Sequence, residues 1–225
     1  MNPIFKKYYG KSIRIAPDGF SFFRHSGERL DVKTFPASSN ALITTEAPGF
    51  FQPGDHVSVI AARHVPILVP SELHDPDKNR EYLDLQFDTS SIGGVFADTA
   101  GDYKAVYSLP KNVTDTLSRL PYPYEVTAET TLFYRFLSES NAESALLVAP
   151  NPTFTDIVAV HKGALAFMNR FHLTEPADTL YYICNILTQF NLRQPVIFQL
   201  AYAGENRKLT QLLKSCKLKT EVLQS

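Results

Sequence analysis

Apolar and polar residues alternate from the start of the chain. Ile13 and Ile15 are separated by polar neighbours, and Phe20 and Phe22 repeat the pattern after Pro17-Asp18-Gly19. A two-residue period turns one face of a strand toward a core. Proline sets φ in the intervening turn and glycine supplies a residue free to take positive φ. His25-Ser26-Gly27-Glu28 reads as a second turn, with Leu30 and Val32 opening a third strand, so residues 11–35 predict an antiparallel meander. The β-branched runs at 57–60 and 65–69 predict a further hairpin or strand pair. Asp75-Pro76 marks a helix start that runs to about Leu83, with aspartate as cap and proline in the first turn. The stretch TSSIGGVFADTAGD, 89–102, reads as loop. A strand follows at 103–109, then a helix from Pro110 whose Val113, Leu117 and Leu120 share one face. Residues 122–126 read as extended, and Thr127 as the cap of a helix carrying Leu132, Phe133, Phe136 and Leu137.

The second half repeats this grammar. Residues 144–149 form an apolar strand, 156–160 and 164–168 a hairpin, and Thr174-Glu175-Pro176 starts a helix striped by Leu180, Ile183, Leu187 and Phe190. The near-continuous apolar run 195–202 fits a strand covered on both faces. Gly204 precedes a helix with Leu209, Leu212, Leu213 and Cys216 on one stripe, and 221–223 forms a last strand. Segments 12–24 and 156–168 align without a gap, Ile13, Gly19 and Phe23 meeting Ile157, Gly163 and Phe167. Strand–helix–strand segments follow each, at 103–126 and 195–223. A duplicated plan predicts a two-lobed α/β protein with mixed sheets. The first lobe spans 1–138, with a small insert at about 37–101. The second spans 139–225, the polar run SESNAE (138–143) marking the boundary.

Composition narrows the partners. With 225 residues, 44% hydrophobic and 20% charged, either lobe can bury a core. Lys+Arg is 22 against 23 Asp+Glu, a formal net charge of −1. Such a balance lacks the basic excess that nucleic acid or an anionic membrane attracts. No apolar run reaches the roughly 18–20 residues of a membrane helix, and the N-terminal charges are not followed by the apolar core of a signal peptide. Cys184 and Cys216 sit among Leu and Ile at helical spacing and are expected to be buried thiols in a reducing, cytoplasmic compartment.

The order of elements, together with SIRIAPDGFSF (12–22) and ILVPSEL (67–73), resembles a bacterial domain-of-unknown-function family with the actin-like ATPase fold, a duplicated ribonuclease H-like architecture. That superfamily includes sugar kinases, heat-shock chaperones and pilus- and division-associated actins. The resemblance implies ATP and Mg²⁺ chemistry. Two hairpin turns, one per lobe, bring backbone N–H groups to the phosphates, and each needs glycine, because a Cβ would block the approach. An aspartate at the strand end positions the hydrated metal. On this reading the nucleotide-binding residues are Asp18 and Gly19 in the first lobe, Lys162 and Gly163 in the second, and Gly204 at the adenosine turn. The chain departs from the pattern at each place. Pro17 lacks an N–H and Phe20 is bulky, Val160 stands where an acid is usual, and one glycine remains at the adenosine turn.

Other constellations have simpler explanations. His64, His74, Asp75 and Asp77 lack metal-ligand spacing, so no metal site is assigned. Asp98-Thr99-Ala100-Gly101 reads as a surface loop, and His161-Lys162 as the polar tip of a hairpin. No Gly-x-Ser-x-Gly elbow, Cys/His set or paired carboxylates appear. The expectation is a non-catalytic actin-like domain without cofactor, serving as a scaffold or protein-interaction module. The alternative is a nucleotide-binding ATPase or kinase-like enzyme with divergent phosphate loops. A third reading takes the repeat as coincidence in an α/β fold unrelated to nucleotides.

Overall fold

The computed structural model describes residues 3–26, 29–151, 153–173, 175–201 and 207–224. After α1 (Pro3–Tyr8), the alternating segments become β1 (Lys11–Ala16), β2 (Gly19–Ser26) and β3 (Arg29–Pro36), an antiparallel meander. α2 (Ile43–Phe50) leads to β4 (Val57–Ala61), which lies parallel to β1 on its free side. Then come β5 (Ile67–Pro70), α3 (Asn79–Asp84), β6 (Ile92–Ala100), β7 (Tyr103–Pro110) and α4 (Lys111–Leu117). β8 (Tyr124–Ala128) returns parallel to β4, and α5 (Glu129–Ser138) follows. The first sheet therefore has the order β3-β2-β1-β4-β8, with β5-β7-β6 as a separate three-stranded sheet.

The second half contains β9 (Ser144–Pro150), β10 (Phe154–His161), β11 (Ala164–His172), α6 (Pro176–Gln189), β12 (Val196–Ala201), α7 (Arg207–Ser215) and β13 (Lys219–Gln224). Its sheet has the order β11-β10-β9-β12-β13, with the first three strands antiparallel and the last two parallel to β9. Strand for strand this repeats the first sheet. The chain forms two compact units, Pro3–Thr131 and Leu132–Ser225, dividing within α5.

The duplication is real, but the sequence register that suggested it is displaced by one strand. Gly19 joins the first and second strands of its sheet, whereas Gly163 joins the second and third of its own. The topological counterpart of the Pro17–Asp18 turn is the connection between β9 and β10. Hairpins built of alternating apolar residues around glycine look alike whichever pair of strands they join, so three identities cannot choose between registers.

Other expectations also change. Segments 57–60 and 65–69 are not a hairpin: β4 is a central strand of the first sheet, and β5 belongs to the small one. The separate sheet lies between Ile67 and Pro110, where the sequence suggested an insert at 37–101. The supposed loop 89–102 contains β6, paired along its length with β7. Gly93 and Gly94 mark close approach instead of a turn, because a Cβ on Gly93 would lie 2.1 Å from Thr114 Oγ1 and 2.5 Å from Lys111 Cα. Thr127 lies on β8, and the helix begins at Glu129. Cys184 and Cys216 are both exposed. Cys184 follows the buried Ile183 by one position, a step of about 100° off the apolar stripe, and Cys216 lies beyond the end of α7. Asp75 does cap its helical turn, accepting from the Asp77 N–H at 3.0 Å.

In the first unit, Ile13, Ile15, Phe20 and Phe22 pack with Val57, Val59, Val113 and Leu117. Phe20 stacks on Phe35 with centroids 4.7 Å apart. The opposite face of β1 is also covered: Ser12 and Arg14 are buried, and Phe5 of α1 and Tyr9 just after it lie against Phe23. In the second unit Leu146, Val148, Ile157, Ile183, Ile186 and Ile197 form the centre, with Leu180 and Leu187 half-buried at its margin. Each fully buried large aliphatic or aromatic side chain contributes about 1.5–3 kcal/mol. No described helix is long and apolar enough to cross a membrane.

Candidate functional site

In open α/β sheets ligands gather at the carboxyl ends of parallel strands. In the first unit those ends belong to β1, β4 and β8. The Ala62 N–H donates to Ile15 O at 2.8 Å and ties the exit of β4 to the end of β1. Beyond β1, Ala16 pairs with Gly19, leaving Pro17 and Asp18 as an exposed two-residue turn. Proline has no N–H to give, so Asp18 alone can offer a main-chain donor from the turn tip, next to its own carboxylate. Gly19 is required for a structural reason: a Cβ there would lie 1.9 Å from Phe35 O on β3. Phe20 is buried in the core and does not occupy ligand space, contrary to the reading of it as an obstruction.

Glu129 follows β8 at the same edge, 1% exposed. Both its oxygens are engaged. Arg14 Nε donates to Oε1 at 2.6 Å and Arg14 Nη2 to Oε2 at 3.0 Å, while the Tyr9 hydroxyl donates to Oε1 at 2.8 Å. Asp98, read as loop, lies on β6 and accepts from the Ala128 N–H at 2.8 Å. Tyr107 OH sits 3.1 Å from Asp98 Oδ1 and 2.9 Å from Val126 O. Sequence reasoning missed Arg14 and Glu129, and set Asp98 aside as part of a surface loop. The available signal was a cation between two isoleucines in a strand that proves covered on both faces.

In the second unit the parallel strands are β9, β12 and β13. Where β9 ends, the Asn151 N–H is taken by Phe154 O at 2.8 Å. Gly204 lies outside the described residues. Lys162 and Gly163 form the β10–β11 turn, both at positive φ, 52° and 78°, the backbone of a tight two-residue hairpin. The Lys162 N–H donates to Glu143 O at 2.6 Å, and its ammonium lies 3.9 Å from Glu143 Oε1 in the open. A Cβ on Gly163 would meet nothing within 4 Å, so this glycine serves the turn's conformation. Val160 is buried and paired on both sides. The buried acid here is Asp156, 0% exposed, held by Arg170 Nε and Nη2 at 2.6 and 2.7 Å, the guanidinium also lying 3.8 Å over the Phe154 ring.

The imagined metal ligands stay apart in role. His74 Nε2 bonds Asn79 Oδ1 at 2.7 Å, Asp75 caps a turn, and His64 packs on Phe87 with centroids 4.9 Å apart. Among the described residues no three His, Cys, Asp or Glu side chains converge to hold a metal.

This strand order is found in known structures. A Bacteroides thetaiotaomicron protein with actin-like ATPase fold and unknown function matches with a TM-score of 0.70 at 16% identity, over 97% of this chain and 92% of that one. A chain of the PilM–PilN type IV pilus biogenesis complex matches with a TM-score of 0.55 at 14% identity, over 93% and 86% of the two chains. The ethanolamine utilization protein EutJ of Carboxydothermus hydrogenoformans gives a TM-score of 0.51 at 7% identity, over 94% and 83%. The architecture is therefore the actin-like ATPase fold. No curated protein matches in sequence. Residues 1–218 match one family model, Protein of unknown function (DUF3822), and with almost the whole chain accounted for, the protein belongs to that family of actin-like fold.

Proposed function

We propose that this chain is a non-catalytic actin-like domain that works without nucleotide or metal, as a cytoplasmic scaffold or protein-interaction module. The observation that carries the reading is the engagement of Glu129. It is the buried carboxylate at the carboxyl edge of the first sheet, and a guanidinium and a phenol occupy both its oxygens. A carboxylate so neutralised is a poor base and a poor metal ligand, since either task means breaking charge-assisted hydrogen bonds in a dry site. The donor-poor turn after β1 supports the same reading: Pro17 has no N–H to offer a phosphate oxygen there. A protein partner is supported by the PilM–PilN structure, in which a chain of similar fold belongs to a complex of two proteins.

The test is titration with ATP and Mg²⁺, followed by melting temperature and phosphate release. A ligand at a hundred times its Kd stabilises by about 2.7 kcal/mol, readily seen as a higher melting temperature. The expected result is no stabilisation and no turnover. Mg²⁺-dependent hydrolysis abolished by Glu129→Gln would overturn the reading in favour of a divergent ATPase or kinase-like enzyme.

A further inference from the structure

The second unit carries α6 and α7 on one face of its sheet. α6 links β11 to β12 and α7 links β12 to β13, and these three strands run the same way. Both helices therefore run back across the sheet in the same direction. Ile183 and Ile186 of α6 share one core cluster with Leu209 and Leu213 of α7. Beside that core lies a groove of about 420 Å³, lined by Ala177 of α6 and by Lys208, Leu212 and Ser215 of α7.

Cys184 and Cys216 stand toward the same end of that groove. Cys184 is two helical turns past Ala177 and within about 20° of the same side. Tyr182 marks the other flank of α6, stacking on Phe171 of β11 with centroids 4.0 Å apart. From Tyr182 to Cys184 is about 200° around the helix, which puts Cys184 on the flank turned to α7. Cys216 is one turn past Leu212 and keeps the helical hydrogen bond, its N–H donating to Leu212 O at 3.2 Å. Both thiols are free and exposed. They also sense each other. Partial burial raises the Cys184 pKa, and the negative charge of an ionised Cys216 raises it further. Such repulsion acts between like charges only at close range. Nothing in the scaffold reading uses this pair, and the inference does not depend on that reading.

We propose that Cys184 and Cys216 form a reversible intramolecular disulfide when a small-molecule disulfide oxidises them, tying the end of α7 to the middle of α6. The exchange takes two steps. One cysteine, as thiolate, attacks a sulfur of the oxidant, whose S–S bond breaks and whose other half leaves as a thiolate with the electron pair. The second cysteine then attacks the protein sulfur of that mixed disulfide and displaces the remaining half. Two protein thiols are oxidised, one disulfide is reduced to two thiols, and the two protons pass to the leaving groups. The experiment treats the full chain with oxidised glutathione, blocks remaining thiols with iodoacetamide, and reads intact mass and non-reduced peptide maps. The expected product is a single chain lighter by two hydrogens, without iodoacetamide label, in which one peptide pair is joined through Cys184 and Cys216. Dithiothreitol should restore the reduced mass. Cys184→Ser and Cys216→Ser should each stop at the mixed disulfide and gain one glutathione. In the oxidised parent the α7 amides should exchange with solvent about tenfold more slowly than in the reduced form. Thiols still open to iodoacetamide, two glutathiones retained on the parent, chains joined to each other, or unchanged exchange in α7 would each overturn the proposal. Should a variant fail to fold, the parent's mass and peptide map still decide.

Discussion

Among the described residues each unit buries an arginine–carboxylate pair, and the two are placed differently. In the first, Arg14 on β1 reaches Glu129 at the start of α5, 115 residues away, and Tyr9 completes the set. In the second, Asp156 and Arg170 face each other across β10 and β11, 14 residues apart. The first pair fastens the helix after the last strand to the first strand, at the edge where α/β sheets usually do chemistry. The second fastens two neighbours within one hairpin. Arg170 also keeps a little access to water, 12% of its side chain against 7% for Arg14. One strand plan can therefore hold its buried charge as a long-range clasp or as a local rung. The clasp is the arrangement that removes a carboxylate from the edge of the sheet.

The sharpest way to break this comparison is to remove one partner of the clasp. Arg14→Ala leaves Glu129 buried without its guanidinium and should cost about 3–5 kcal/mol in urea unfolding. The double replacement Arg14→Met with Glu129→Leu should recover most of that loss, because apolar substitutes avoid desolvating charge. If the single variant is as stable as the parent, the clasp does not hold the unit. Next come the two turn glycines. Gly19→Ala should cost about 3 kcal/mol or more, since the new methyl overlaps the Phe35 carbonyl. Gly163→Ala, with open space but a φ of 78°, should cost only about 1–2 kcal/mol. Equal costs in thermal unfolding would mean that the two turns are alike after all.

Asp156→Asn tests the local rung. It keeps shape and some hydrogen bonding, while Arg170 retains Phe154 and a little water, so a loss of about 1–3 kcal/mol is expected from denaturant curves. A loss as large as that of Arg14→Ala would erase the distinction. The smallest effect lies on the outside of β1, where Lys11 meets Asp55 at 2.5 Å. The Lys11 ammonium, aided by the Gln52 N–H, holds the Asp55 carboxyl below its ordinary value. A depressed carboxylate stabilises fully above the unfolded value, about 3.9, and loses its contribution as pH falls through the lower folded value. Asp55→Asn should therefore cost under about 1 kcal/mol at neutral pH, and the difference from the parent should vanish in acid. A difference that grows as pH falls would contradict the assignment.

Much of this was legible in one dimension. Apolar alternation at Ile13, Ile15, Phe20 and Phe22 and the stripe through Ile183 are set by local periods of two and 3.6 residues, which a linear pattern records directly. Proline and glycine placed the turns at 17–19 and 162–163, because φ restrictions are properties of single residues. The order of these elements resembles the actin-like architecture, and segments 12–22 and 67–73 carry the resemblance to the family.

What tertiary structure decided is whatever depends on residues far apart in the chain. Which strands Gly19 and Gly163 join is a matter of pairing, and pairing is invisible to a hairpin's own composition. That β4 lies between β1 and β8, and that Gly93 yields to Thr114, depend on contacts between distant segments. Arg14 looked like the solvent-facing residue of a half-buried strand. Only when α1 covers that face and Glu129 arrives from the end of β8 does it become a buried clasp, because burial and charge pairing are settled by three-dimensional neighbours.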